Sequence, residues 1–458
     1  MQKRRQAIER RSFLAASAGL IASCSSPPKP EPPNIVVFLA DDLGYGDLSS
    51  YGCPDIRTPH IDAIGARGVR FTRCYANAPE CTPTRAALLT GRYQQRAGGL
   101  ECAIGVGGVG RYDEAVWLRE RGELGLPASE ATMGRIFKKN GYDTACIGKW
   151  HLGYPDRFSP NRHGFDEYFG ILGGNAGYFT HREASGLPVL YRNGQPVAGD
   201  GYLTDLISGH AVEWLANRRA NPFLLYVPFT APHTPVQGPA DAGREVNASN
   251  WNQGDRATYA RMVESMDAGV GRVLAQLDAM GAADNTLVVF MSDNGGYALS
   301  RNEPFRGGKG TLWEGGIRVP CVMRYPGVVP EGTETGQVSL SMDLLPTLMT
   351  AAGIPQPPGR KLDGVDLLPV VSGARRPFVR TIHFRYKRLE NRRKAVIHGA
   401  MKYLWDNGGE YLFNLADDAH EDENLLADFP GVAAELKSKL ADWEEEVRAP
   451  RLAGFSAG

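Results

Sequence analysis

Four stretches of the chain are apolar at almost every position and are bounded by turn residues: NIVVFLADD at 34–42, FLLYVPF at 223–229, TLVVFMSDNGG at 286–296 and PCVMRYPG at 320–327. A strand with one face in water alternates apolar and polar residues, so continuous runs of this length predict strands buried on both faces. Between the runs the period becomes helical. In ATYARMVESMDAGVGRVLAQLDAMG, Tyr259, Met262, Met266, Val270, Val273, Leu277 and Met280 fall on one stripe, and Gly281 ends it. Strands alternating with helices predict an α/β fold built on a large, mostly parallel sheet flanked by helices. From about residue 366 the texture changes. RKAVIHGAMKYLWDNGGEYLFNL reads as short antiparallel strands joined by Gly and Asn-Gly turns, and GVAAELKSKLADWEEEVR as a last amphipathic helix. The expected organisation is a large catalytic domain over 34–365 and a smaller C-terminal α+β subdomain over 366–458.

The first residues do not belong to that pattern. A basic stretch is followed by an apolar segment from Phe13 to Ala22 that is too short to span a bilayer, which predicts an export signal over 1–23. RRSFL resembles the twin-arginine type, and IASC resembles a lipobox that makes Cys24 the lipid-bearing first mature residue. SSPPKPEPP, within 24–33, is an extended Pro-rich spacer. The protein is thus expected to engage export machinery and to reside in a bacterial periplasm or on a membrane as a lipoprotein. Lys plus Arg and Asp plus Glu each number 51 in 458 residues, so no global field recruits nucleic acid or a membrane surface. Any preference for an anion must be local. Setting Cys24 and Cys81 aside leaves Cys53, Cys74, Cys102, Cys146 and Cys321, an odd and scattered set without zinc-site spacing. Buried free thiols are expected, with one or two bridges at most.

Candidate chemistry gathers where strands end. In an open α/β sheet ligands bind beyond the carboxyl ends of the strands. Asp41 and Asp42 end the first apolar run, and Asp293 and Asn294 end the third. Four hard oxygen donors on one sheet edge suit a divalent cation, calcium more than zinc. Further cations and imidazoles sit on turns: Lys149 and His151 in GKWHLG, His233 in APHTP and Lys309 in GGKG. Cys81 opens a helix in CTPTRAALLTGRY, with Arg85 four residues on.

These segments resemble, in order, those of the type I sulfatases of the alkaline phosphatase superfamily, from about residue 34 to the end. CTPTR fits the family's C-x-P-x-R signature, and GKWHLG, APHTP, SDNGG, GGKGTLWEGGIRVP and the closing EYLFNLADDAHEDENL follow. The likeness is strongest to the arylsulfatase A and N-acetylgalactosamine-6-sulfatase branch, which acts on sulfated sugars. The resemblance implies an alkaline phosphatase-like fold. It also implies that a formylglycine-generating enzyme converts Cys81 to formylglycine (3-oxoalanine), whose hydrate offers two hydroxyls. It further implies Ca2+ held by Asp41, Asp42, Cys81 in modified form, Asp293 and Asn294. Arg85 and Lys149 would fix the diol, Asp293 would accept the attacking hydroxyl's proton, and Lys309, Lys149 and His233 would contact the sulfate. His233 would protonate the departing oxygen, and His151 would take the second hydroxyl's proton as sulfate leaves.

The expected activity is hydrolysis of sulfate esters on a carbohydrate, a glycosaminoglycan or algal polysaccharide. The alternatives are an aryl sulfatase or a phosphonate or phosphodiester hydrolase of the same superfamily, or a non-catalytic binder of sulfated glycans if Cys81 stays unmodified. GVGGVG at 105–110 lacks the preceding strand and following lysine of a phosphate loop, and reads as a flexible loop beside the cleft. FRYKRLENRRK at 384–394 is either a solvated basic face or a subsite for a further sulfate, with Arg392 and Arg393 as its test positions. The segments 94–125 and 175–205, where sugar selection would reside, carry no readable pattern.

Overall fold

The computed structural model describes residues 31–217 and 220–455, so the export signal and Cys24 lie outside the described residues. In chain order the strands are β1 (Asn34–Ala40), β2 (Val69–Phe71), β3 (Cys74–Tyr75), β4 (Asp143–Ile147), β5 (Glu167–Ile171), β6 (Leu190–Arg192), β7 (Gln195–Pro196) and β8 (Phe223–Pro228). They continue with β9 (Thr286–Ser292), β10 (Cys321–Arg324), β11 (Thr333–Thr335), β12 (Ser339–Leu340), β13 (Thr381–Arg388), β14 (Asn391–His398), β15 (Met401–Asp406) and β16 (Gly409–Asn414). Ten of them form one sheet in the order β11-β2-β10-β9-β1-β8-β4-β5-β6-β7, while β3 and β12 pair separately. The central run β9-β1-β8-β4-β5 is entirely parallel. The apolar run at 320–327 departs from its neighbours: β10 is antiparallel to both β9 and β2. Burial on both faces is common to parallel and central antiparallel strands, so the apolar pattern alone does not encode direction.

β1 shows how the sheet is held. Every residue from Ile35 to Ala40 is fully buried. Ile35, Val37 and Leu39 point into one core, shared with the helix Cys81–Thr90 and with the C-terminal sheet. Val36, Phe38 and Ala40 point into the other, shared with the helices Leu203–Ala216 and Arg256–Ala279. The period of two along the strand thus feeds two cores. In the long helix, Asp255 caps the N-terminus through a 2.7 Å bond to Thr258 N, and the predicted stripe from Tyr259 to Leu277 is buried. Met280 is the capping residue rather than a core residue, and Gly281 follows at φ 66°.

The C-terminal sheet β13-β14-β15-β16 is antiparallel throughout, as the Gly and Asn-Gly turns predict. The helix Pro430–Glu446 covers it with Ala433, Leu436, Leu440 and Trp443. All six described cysteines are buried and free, so the bridges allowed for at the sequence level do not occur among the described residues.

Candidate active site

Strand register assembles the site. Ala40 of β1 pairs with Ser292 of β9, so Asp41 and Asp293 leave the sheet side by side, with Asp293 N donating to Ala40 O at 3.1 Å. On the other flank Leu39 pairs with Pro228 of β8, and Asp41 N donates to Ala231 O at 3.1 Å. One strand further, Lys149 N donates to Pro228 O at 2.7 Å just past the end of β4. Four adjacent parallel strands therefore deliver Asp293, Asp41, the His233 turn and Lys149 to one carboxyl edge, where an open α/β sheet binds its ligands. The glycines of SDNGG and WEGG let two loops touch there. A Cβ on Gly295 would lie 1.9 Å from the Gly315 carbonyl oxygen, so only glycine allows that approach.

Cys81 opens its helix at this edge, fully buried, with Sγ 3.3 Å from Asp41 Oδ1. The other oxygen of Asp41 accepts from Lys149 Nζ at 2.5 Å. Arg85, one turn along the helix, grips Asp293 Oδ2 through Nε at 3.0 Å and Nη2 at 2.8 Å, and donates to the Lys149 carbonyl at 2.9 Å. Lys309 Nζ lies 2.7 Å from Asp42, Asn294 Nδ2 donates to Asp42 Oδ1 at 2.8 Å, and His233 Nε2 is 3.5 Å from Asp42 Oδ2. With His151 lining the same cavity as Cys81, His233 and Lys309, all ten residues singled out from the sequence converge. Asp42 and His151 adopt the left-handed backbone region, at φ 66° and 58°, which non-glycine residues avoid unless the surrounding structure imposes it.

The electrostatics follow from burial and pairing. Asp41, Asp42 and Asp293 face Arg85, Lys149 and Lys309. Burial pushes Asp42 up, but Lys309, His233 and Lys149 outweigh it and hold the carboxyl well below its usual range. Burial and the nearby Asp41 push Asp293 up to about 6 against the pull of Arg85. Burial, and then Asp41, keep the Cys81 thiol far above its ordinary value, so the sulfur is not a thiolate. The two imidazoles are neutral and differently oriented. His151 Nε2 lies 2.8 Å from the Ile104 carbonyl oxygen, which can only accept, so Nε2 carries the proton and buried Nδ1 keeps a lone pair without a partner. Burial and Lys149 hold this ring well below the usual histidine range. His233 Nδ1 lies 2.7 Å from the Thr234 carbonyl oxygen, leaving Nε2 unprotonated toward Asp42, and burial and Lys309 lower the ring to about 3.

Two observations test whether a hard cation fits. One potential ligand atom from each of Asp41, Asp42, Cys81 and His233 lies within 4.8 Å of the others. Asn294 Oδ1 is buried there without a hydrogen-bond partner. Oxygen donors dominate, and the orphaned amide oxygen is what a calcium ligand looks like before it is engaged. Above this floor opens a cavity of about 400 Å³, whose walls include Glu80, Ile104, Arg111, Trp251 and Arg388. None of those five was singled out as a site residue from the sequence. Glu80 immediately precedes the signature, Arg111 closes the glycine-rich loop and Arg388 lies in the basic run, but sequence position alone did not mark them.

The basic run itself is mostly neutralised within the fold. Arg385 pairs with Glu101 and Glu444, Lys387 with Glu114, Lys394 with Glu444, and Arg393 with Asp406. Arg392 and Arg393 lie outside the cavity over Cys81, and Arg388 is the residue of the run that reaches it.

Comparison with known proteins gives the family. The family model described as Sulfatase matches residues 33–354, and one described as N-sulphoglucosamine sulphohydrolase, C-terminal, matches 308–446. The chain belongs to the sulfatase family. As a sulfatase it is a sulfuric ester hydrolase. It is 35% identical over 449 residues to steryl-sulfatase of Mus musculus, covering 79% of this chain and 69% of that protein. It is 34% identical over 405 residues to N-acetylgalactosamine-6-sulfatase of Homo sapiens, covering 83% of this chain and 73% of that protein. The solved structure of Ps i-CgsB in complex with k-i-k-neocarrahexaose matches with a TM-score of 0.80 and 32% identity, over 90% of this chain and 93% of that one.

Proposed function

We propose that this sulfatase hydrolyses sulfate monoesters on a sulfated carbohydrate, a glycosaminoglycan or algal polysaccharide, with residue 81 matured to formylglycine and calcium bound beside it. The observation that carries the reading is the contact set at Cys81: Asp41 bridges its sulfur and Lys149, while Asp42 next door holds Lys309 and His233. The carbohydrate part draws on the likeness to the N-acetylgalactosamine-6-sulfatases and to the oligosaccharide complex. A protonated thiol buried against a carboxylate is a poor nucleophile, which favours an oxygen nucleophile at this position.

Asp41, Asp42, Asp293, Asn294 and residue 81 would hold the calcium, which when bound supplies Lewis acidity toward a sulfate oxygen. Formylglycine, when present and hydrated, supplies one hydroxyl to attack sulfur and a second whose deprotonation expels sulfate. The chain's own groups do the rest. Lys309 and Lys149 neutralise the charge a sulfate ester carries toward its attacker. Arg85 fixes Asp293, the proposed proton acceptor, beside Asp41. His151 is suited to accept a proton at Nδ1, because Ile104 secures the other nitrogen as a donor. His233 must gain a proton at Nε2 before it can protonate a leaving oxygen, and a sulfate anion seated against it would raise its affinity for one.

We further propose that the catalytic machinery resides within 34–365 and that 366–458 closes one wall, and that the protein is exported to the periplasm, with lipid at Cys24 as an anchor. The test pairs peptide mass spectrometry of residue 81, after co-expression with a formylglycine-generating enzyme, with assays on 4-nitrophenyl sulfate, a phosphate diester and sulfated sugars. Formylglycine at 81, turnover of sugar sulfates and loss of turnover on chelation with EGTA are expected. Unmodified cysteine in an active protein, or preference for the diester, would reject the proposal.

A further inference from the structure

Arg111 stands apart from the other basic residues around the site. Its guanidinium lines the cavity, yet it makes no side-chain hydrogen bond or ion pair among the described residues, whereas its neighbours in the basic run are paired. Its backbone is fixed, since Leu389 N donates to Arg111 O at 2.6 Å, tying the loop after GVGGVG to the turn that carries Arg388. Arg388 projects into the same cavity and is held by Glu80, a fully buried carboxylate whose second oxygen accepts from Ala103 N at 2.8 Å. Both Glu80 oxygens are therefore in use, and this wall carries two guanidiniums against one engaged carboxylate. A half-buried guanidinium in a cavity, with its donors unspent, is suited to a planar or tetrahedral oxyanion. Trp251 and Asn175 complete the lining nearby.

We propose that Arg111, with Arg388 beside it, forms a second anion subsite, so that the preferred substrate presents another sulfate or a carboxylate alongside the sulfate being removed. This rests on the sulfated-carbohydrate reading above and narrows it to polyanionic sugars. Lys309 and His233 take the scissile sulfate at the floor, and Arg111 takes the second anion on the wall. A cavity of about 400 Å³ lies within the range of roughly 300–1,000 Å³ typical of small-ligand sites, large enough for a substituted sugar residue.

Binding, measured calorimetrically on the full mature chain carrying Cys81→Ala so that no nucleophile remains at that position, tests this directly. The probes are N-acetylgalactosamine 6-sulfate, its 4,6-disulfate, and a chondroitin 6-sulfate disaccharide whose second anion is a uronate carboxylate. One or both dianionic sugars are expected to bind about tenfold tighter than the monosulfate, as one charge-assisted contact warrants. Which of them does so separates sulfate from carboxylate as the second group. Arg111→Gln should bring that ratio to within about twofold of unity, Arg111→Lys should retain part of it, and Arg392→Gln, outside the cavity, should keep it. Equal affinity for mono- and dianionic sugars, or a preference that survives Arg111→Gln, would overturn this subsite and leave the carbohydrate reading standing. Failure of all three sugars to bind, while the matured wild-type protein hydrolyses 4-nitrophenyl sulfate, would overturn both.

Discussion

His151 shows how much of the site depends on single atoms. Its ring is packed against Gly174, where an added Cβ would fall 2.8 Å from both Cε1 and Nε2. Contacts that short force the imidazole off the Ile104 carbonyl, the bond that leaves Nδ1 free as a base. Gly174→Ala is therefore expected to lower kcat about tenfold or more on 4-nitrophenyl sulfate, while thermal unfolding shows the protein still folded. An unchanged kcat would mean that the ring's position is not critical. Lys309→Ala removes a cation held on Asp42 at the cavity floor, and kcat/KM is expected to fall about 10²–10³-fold, the loss typical of one charge-stabilising donor. At this scale the sequence was informative about identity and silent about orientation. Lysines and histidines on turns after apolar strands were visible, and so was the signature cysteine. The tautomers were not, because each is set by a carbonyl that only folding brings near: Ile104, from a loop without pattern, fixes His151.

Elements place these residues, and here the legible part was periodicity. Runs apolar on every residue marked β1, β8 and β9, and the helical stripe marked Arg256–Ala279. Strand direction and register were hidden, since both depend on how connections cross the sheet, and register is what sets Asp41 beside Asp293. The segment 94–125 was equally opaque, yet it is tied to the C-terminal sheet by a specific pair. Glu101, 3% exposed, accepts from Arg385 of β13, with the closer Nε contact at 3.1 Å, and from Gln95 at 3.1 Å. Burial pushes the Glu101 carboxyl up, but Arg385 outweighs burial and the group ends below its ordinary range. The folded state therefore binds that proton less readily than the unfolded chain. Its stabilisation is complete above the usual glutamate value, about 4.3, and is lost as pH falls through the lower folded value. Glu101→Gln is expected to cost about 3 kcal/mol in urea unfolding at pH 7, since it leaves Arg385 buried with only Glu444. The gap between the two proteins should narrow at about pH 4 and below. A gap that stays constant with pH would assign the cost to packing instead.

Across the whole molecule, the C-terminal sheet is joined to the rest of the fold by charge as well as by a shared apolar core. Lys402 of β15, fully buried, bonds Glu314 at 2.9 Å and Glu421 at 2.8 Å, and Glu314 also accepts from Tyr75 at 2.8 Å. Glu421, in the closing segment that resembled a family motif, accepts from Glu314 N at 2.7 Å, and its carbonyl accepts from Arg306 at 3.2 Å. Arg306 and Glu314 bracket the turn that carries Lys309, so Glu421 and Lys402 of the C-terminal segment anchor both ends of that loop. A buried ion cluster is weak evidence for net stability, because desolvation offsets attraction, but removing one member leaves the others uncompensated. Lys402→Met exposes that asymmetry: two buried carboxylates lose their shared cation, and the fold is expected to lose about 3–5 kcal/mol. Because Ile382, Phe384, Leu404 and Leu412 of the C-terminal sheet lie in the same cluster as Ile35, Val37 and Leu39, that loss is not confined to one sheet. Tryptophan fluorescence, far-ultraviolet dichroism and activity should fall together in a single, earlier urea transition. Separate transitions, with activity surviving the first, would show that 366–458 unfolds on its own and that the Lys309 loop does not need it.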